Sequence, residues 1–161
     1  MKQSELVRIV GFSVFGGLLM FWIQPFFYRI PLPFFVLPSV DKLDAWIGNY
    51  YIPGATIVLA SSICATLLWY VLASRAQPRT AHDRQSWLLV WCVILFIPVL
   101  SIIATLFFYS HKPEAILSLT TLYIFDAAFL YWFTTATSSP RDLMYTPPGA
   151  FTLRRLPLFR N

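Results

Sequence analysis

Charge is scarce in this chain. Only 12% of its 161 residues are Asp, Glu, Lys or Arg, about half the share of an ordinary soluble domain. Hydrophobic residues make up 58%, and the mean hydropathy is +0.65. A domain of this length leaves much of its surface outside any core, so one core cannot hide that much apolar side chain from water. A soluble globular domain is excluded on that ground, and lipid is the natural second solvent.

Residues that do chemistry are also few. There are two cysteines, Cys64 and Cys92, and two histidines, His82 and His111. No CxxC pair is present, which argues against a membrane thiol oxidoreductase. The expected depths of the two cysteines differ by roughly 9 Å at the helical rise of 1.5 Å per residue, too far for a disulfide, so each is expected as a small buried apolar residue. The histidines fall on opposite sides of the expected membrane and suit neither a metal site nor an axial haem ligand. GxSxG, HExxH and P-loop patterns are absent. No His or Lys within an apolar run offers a base to the many Ser and Thr. The expectation is a protein without catalytic residues, without a metal and with no required cofactor, although a bound lipid, quinone or pigment fits the composition. The net charge of +5 does not point to nucleic acid, because the basic residues lie in short segments beside apolar runs, not in a stripe on polar surface. A β-barrel is excluded because no segment alternates polar and apolar residues with a period of two.

What the chain does have is four apolar runs long enough to cross a hydrocarbon core, which takes roughly 20 helical residues. They cover about 6–28, 53–74, 87–109 and 114–137. Pro53 and Gly54 open the second, Lys112-Pro113-Glu114 separates the third from the fourth, and Ser138-Ser139-Pro140 closes the last. The first is read as an uncleaved span, since no small-residue cleavage site follows it. The fold class is an all-α membrane protein: a four-transmembrane-helix bundle over 1–139, followed by a cytoplasmic tail over 140–161.

Orientation follows from Lys and Arg beside the spans. With the N-terminus inside, the inner side holds Lys2, Arg8, Arg75, Arg79, Arg84, Arg141, Arg154, Arg155 and Arg160, nine of the twelve basic residues. The outer side holds Arg29, Lys42 and Lys112. Both termini are therefore expected in the cytoplasm, in a bacterial-type inner membrane or a thylakoid membrane.

The first outer loop runs from about Arg29 to Ile52. Pro31, Pro33 and Pro38 keep its start extended. Ser39 then caps a short helix in which Val40, Leu43, Trp46, Ile47 and Tyr50 recur at helical spacing, ending at Gly48 or soon after. Such a segment suits the membrane interface, or simply buttresses the bundle. In the tail, 145–149 is turn chemistry, followed by Phe151 and the Arg154-Arg155 pair.

Asp126 is the most informative residue. It falls mid-way along the fourth span, where a charged carboxylate costs at least about 2.5 kcal/mol, and no Lys, Arg or His within a span neutralises it. It is expected to be protonated, hydrogen-bonded to hydroxyls or amides, or paired with a second protein. Ser62, Thr66, Ser101 and Tyr123 are the candidate partners. Two roles follow: a proton or cation site, or a tie between helices. Small residues mark expected helix contacts at Ser13, Gly16 and Gly17 in the first span and Ser61 and Ala65 in the second. Pro98 removes the bond to the carbonyl of Ile94, so a kink or local opening is expected in the third.

The aromatic load of 15 Phe, 8 Tyr and 6 Trp exceeds what interface belts need. Trp22, Phe26, Phe27 and Tyr28 are placed in an outer belt, and Trp69, Tyr70, Trp87 and Trp91 in an inner one. Trp46, Tyr50 and Tyr51 in the outer loop, with Tyr145, Phe151, Arg154 and Arg155 in the tail, are the candidate partner-binding residues. Together these features point to a non-catalytic accessory subunit or assembly factor of a larger membrane complex, bioenergetic or photosynthetic in character. Its partners would be membrane lipids and other integral membrane proteins. The alternative is a small oligomeric transporter or channel subunit using Asp126 as its coupling site.

Overall fold

Long runs of Leu, Ile, Val, Phe and Ala carry backbone N–H and C=O groups that the side chains cannot satisfy. Such runs adopt helices, which close those bonds within the segment. A computed structural model describes residues 3–30, 43–78, 80–109, 113–143 and 145–155. Every regular element among them is helical. The stretch with Pro31, Pro33, Pro38, Ser39 and Val40 lies outside the described residues.

Four helices are long and apolar enough to cross a membrane: Ser4–Arg29, Leu43–Ser74, His82–Phe108 and Ala115–Ser138. The first consists of α1 (Gln3–Leu18), a π-helical stretch (Leu19–Ile23) and α2 (Gln24–Arg29). The second has α3 (Leu43–Trp46), a π-helical stretch (Ile47–Tyr51) and α4 (Ile52–Ser74). The third is α5 (Ala81–Tyr109). The fourth is α6 (Pro113–Ala127), a π-helical stretch (Ala128–Phe133) and α7 (Thr134–Ser138).

One boundary differs in kind from the sequence reading. The short helix expected to end at Gly48 does not end there; it runs on into the second span as one 32-residue helix. Trp46 and Ile47 are buried in the bundle core, and that burial outweighs the roughly 1 kcal/mol that a glycine costs inside a helix. The third helix continues through Pro98.

Two of the π-helical stretches sit directly ahead of a proline. Gln24 and Ile52 each bond five residues back, to the carbonyls of Leu19 and Ile47, and the next residues are Pro25 and Pro53. A proline has no N–H to offer the carbonyl four residues earlier, and widening the preceding turn absorbs the broken ladder. The third stretch has no proline. There Thr134 donates its N–H to the carbonyl of Phe129, and its hydroxyl bonds the same carbonyl at 3.1 Å.

Helices two and four form the inside of the bundle, with 39% and 44% of their most apolar windows buried, against 17% and 28% for helices one and three. Helix three lies along helix two, and helix one lies against both two and four. The core has two parts. The one at the loop end gathers Tyr28, Trp46, Tyr51, Leu119 and Tyr123; the one at the tail end gathers Trp69, Trp91, Ile94, Tyr131 and Leu143. Several aromatics assigned to belts are core residues instead. Trp69 and Trp91 are buried because their ring N–H groups find Ser139 Oγ at 2.9 Å and Thr135 Oγ1 at 3.0 Å. Trp22 and Phe26 do face outward.

Two glycines set the spacing of the helices. A Cβ on Gly16 would stand 2.5 Å from Leu130 Cδ2, and one on Gly54 would stand 2.5 Å from the Tyr123 hydroxyl and 2.6 Å from Thr105 Cγ2. Gly54 is therefore where the second, third and fourth helices meet. Elsewhere in a helix, replacing Gly gains about 0.5–1 kcal/mol. Gly54→Val should instead destabilise by about 1–3 kcal/mol through overpacking, while Gly11→Ala, which meets nothing within 4 Å, should not. Thermal unfolding in detergent reads both, and an unchanged midpoint for Gly54→Val would contradict the three-helix junction.

Candidate functional site

The polar centre of the bundle is built from three helices. Asp126 on α6 is 2% exposed, and its Oδ1 lies 2.5 Å from Nε2 of Gln24, the first residue of α2. The Gln24 Oε1 lies 2.5 Å from the Tyr51 hydroxyl, which is also 2.9 Å from the carbonyl oxygen of Met20. Tyr123 stands behind this group. Its hydroxyl donates to the Tyr51 carbonyl at 3.3 Å, and the two rings stack with centroids 6.2 Å apart. Tyr28 closes the cluster with its hydroxyl 2.9 Å from Ser118 Oγ and its ring 5.9 Å from that of Tyr51.

Proton counting constrains this centre. A phenol has one proton, yet Tyr51 faces two acceptors if Gln24 Oε1 points at it. The O and N of an amide exchange places without changing its shape. With the amide turned, Gln24 Nε2 donates to the Tyr51 oxygen, Tyr51 donates to Met20, and Gln24 Oε1 receives a proton from a neutral Asp126. The Tyr51 and Asp126 hydroxyl protons then have one acceptor each. Asp126 Oδ2, which has no hydrogen-bond partner among the described residues, becomes a carbonyl oxygen instead of half of a carboxylate. Burial without an ion pair costs far less in that form.

Each π-helical stretch presents a backbone carbonyl to this centre or beside it. Met20 accepts from Tyr51, Tyr51 accepts from Tyr123, and Leu130 accepts from Thr66 Oγ1 at 2.8 Å. In each case the hydroxyl comes from a different helix.

Of the residues expected around Asp126, Tyr123 lies in the same cluster, and Thr66, Ser101 and Ser62 do not bond it. Thr66 serves Leu130. Ser101 is 2.6 Å from Ser61 Oγ and donates to the Pro98 carbonyl at 2.8 Å. Ser62 is fully buried, and its hydroxyl has no partner among the described residues. Gln24 is the partner that sequence reasoning missed. Its signal was available: the one amide in the first apolar run, directly ahead of a proline. A Cβ on Gly17 would stand 3.7 Å from Leu59 Cδ2, Ala65 is fully buried, and Ser13 is half-buried. Cys64 and Cys92 are free; Cys64 faces outward and Cys92 is half-buried, because neither falls on the inner face of its helix. Trp46 and Tyr51, expected on a partner-facing loop, lie inside the bundle, and Tyr50 is half-buried.

The tail folds back on the bundle. Ala150 donates to Pro147 across a turn whose third residue, Gly149, has φ +76, a conformation glycine adopts without strain. Trp132 Nε1 donates to the Pro148 carbonyl at 2.7 Å. From the short helix α8 (Ala150–Arg154), Arg154 sends Nε to the carbonyl of Ala136 at 2.9 Å and an Nη to that of Ser139 at 2.8 Å. It thus caps the last turn of the fourth helix, where carbonyls lack partners and cations are favoured. Burial, followed by the nearby charge of Arg8, lowers the pKa of this guanidinium, with Glu5 and Tyr145 acting the other way. Outward of it, Tyr145 and Phe151 are exposed and meet edge to face at 5.5 Å, and Arg155 lies 3.8 Å over the Phe151 ring.

Comparison of the chain with protein-family models, with curated proteins and with solved structures finds no match in any of the three.

The turned-amide arrangement has a measurable consequence. Asp126→Asn keeps an acceptor and a donor toward Gln24 and should cost less than about 1 kcal/mol. Asp126→Leu leaves the buried Gln24 amide with an unmet group and should cost about 1–3 kcal/mol. Thermal unfolding in detergent at neutral pH separates the two; equal losses would show that a charged carboxylate is required.

Proposed function

We propose that the chain is a non-catalytic accessory subunit or assembly factor of a larger membrane complex. In this reading its four helices cross a bacterial-type inner membrane or a thylakoid membrane with both ends in the cytoplasm. The orientation rests on the nine of twelve basic residues that fall on the inner side. The outward faces suit lipid or partner helices. Leu89, Val93, Phe96, Leu100, Ile103 and Phe107 run down one side of the third helix, each more than half exposed.

The observation that carries the reading is the tail. A segment of this length orders only when something holds it, and here Arg154 and Trp132 hold it so that Tyr145, Phe151 and Arg155 face outward. Tyr145 also borders a cleft lined by Pro78, Arg84, Gln85, Leu88 and Asp142. Aromatic residues and Arg are the residue types on which interfaces depend most. Asp126 supports the same reading by lying inside, bonded within its own chain, and not on a contact surface. Affinity purification from the source membrane in mild detergent should recover integral membrane partners at fixed stoichiometry. Phe151→Ala with Arg155→Ala should lower that recovery roughly tenfold. Isolation as a lone monomer would overturn the proposal.

A second reading, a small oligomeric transporter or channel subunit, draws on the buried Asp126 Oδ2, which has no hydrogen-bond partner among the described residues. In reconstituted vesicles Asp126→Asn should then abolish proton- or ion-coupled flux while leaving thermal stability unchanged. Normal flux in that variant removes the idea.

A further inference from the structure

A groove of about 490 Å³ opens on the outside of the bundle between the first and fourth helices, lined by Arg8, Gly11, Phe12, Phe15, Phe129 and Phe133. Phenylalanines form its walls. Phe129 and Phe133 stack at 5.4 Å, and Phe12 meets them edge to face at 5.9 and 5.2 Å. Its floor is open because residue 11 is glycine, with no atom within 4 Å of where a Cβ would stand. The groove has a cation at one end, Arg8. From Arg8 to Phe15 it extends about 10 Å along the helix axis, and at its end Arg8 bonds the Thr137 carbonyl at 3.2 Å. The Arg8 charge is close enough to bear on Arg154. One carboxylate, Glu5, is nearby and accepts from Tyr70 at 3.0 Å. Among the described residues, two guanidiniums and one carboxylate give this end of the groove a net positive charge.

We propose that this groove is a binding site for an anionic phospholipid, with one acyl chain against the phenylalanines and the headgroup at Arg8. Basic residues at the headgroup level beside an apolar inter-helix crevice are suited to that chemistry. A long cationic side chain set a turn inside a helix end reaches back toward the headgroups. A transmembrane helix of a partner would need small residues or a long flat face, not a short aromatic trough with a charge at its end. The site rests on the membrane reading of the chain and not on the identity of any complex.

The test uses the full chain in lipid nanodiscs containing a phosphatidylglycerol with a photoreactive acyl chain. Recovery of the chain with the discs checks membrane embedding separately. Adducts should concentrate on 8–15 and 129–133, and unlabelled phosphatidylglycerol should compete about fivefold better than phosphatidylcholine, the preference expected of one basic residue near the surface. Gly11→Phe should fill the groove and remove that labelling with no fall in thermal stability. Arg8→Gln should erase the preference between lipids, and Arg8→Lys should retain it. Labelling spread evenly round the bundle, unaffected by Gly11→Phe, or competed equally by both lipids would overturn the proposal. Crosslinking of this groove to a protein in its source membrane, in place of lipid, would overturn it as well.

Discussion

The bundle depends on hydroxyl groups from one helix satisfying backbone carbonyls in the widened turns of another. A π-helical turn leaves a carbonyl without its usual donor, and inside an apolar core that deficit has no water to correct it. Tyr51 answers Met20, Tyr123 answers Tyr51, and Thr66 answers Leu130. The donors belong to the second, fourth and second helices, and the acceptors to the first, second and fourth. Each helix with a widened turn is thereby fixed in depth and rotation against a neighbour. Dispersion alone fixes neither between apolar helices in lipid.

The polar centre at Asp126 grows from the same arrangement. The widened turn before Pro25 places Gln24 on the inner face, and the one before Pro53 does the same for Tyr51. Gln24 bonds Asp126 directly, and Tyr51 holds Gln24 in place. Gly54 lets the Tyr123 ring come close enough to stack on Tyr51. Prolines, glycine, amide, phenols and acid are thus parts of one device, spread over the sequence from Gln24 to Asp126.

The opposite end is governed by a cation. Arg154 reaches the unpaired carbonyls of the fourth helix, and Arg8 reaches Thr137 from the first. Both use their charge on a helix C-terminus. What remains outward is chemically different on the two sides of this end. An aromatic patch is carried by the tail, and an apolar trough ending in positive charge lies between the first and fourth helices. The proposed partner surface and the proposed lipid site are therefore separate, and each is reached without disturbing the Asp126 centre.

The apolar runs, with no period-two alternation in them, determined that the spans are helical and supplied four helices of spanning length, because helices and closed barrels are the two structures that satisfy backbone in an apolar medium. The sequence also singled out Asp126, since one acid in such a run stands out whatever surrounds it. It did not show Gln24 as the partner, because Asp126 lies 102 positions away and residues in different helices have no fixed spacing. Nor did it show that Trp46, Tyr51, Trp69 and Trp91 turn inward, since periodicity places aromatics on a face without saying which neighbour that face meets. The continuation of the second helix through Gly48 was equally hidden, because local glycine propensity was outweighed by the burial of Trp46 and Ile47. Only the packing of the four helices decided those matters, by bringing each polar group to the one carbonyl or amide able to satisfy it.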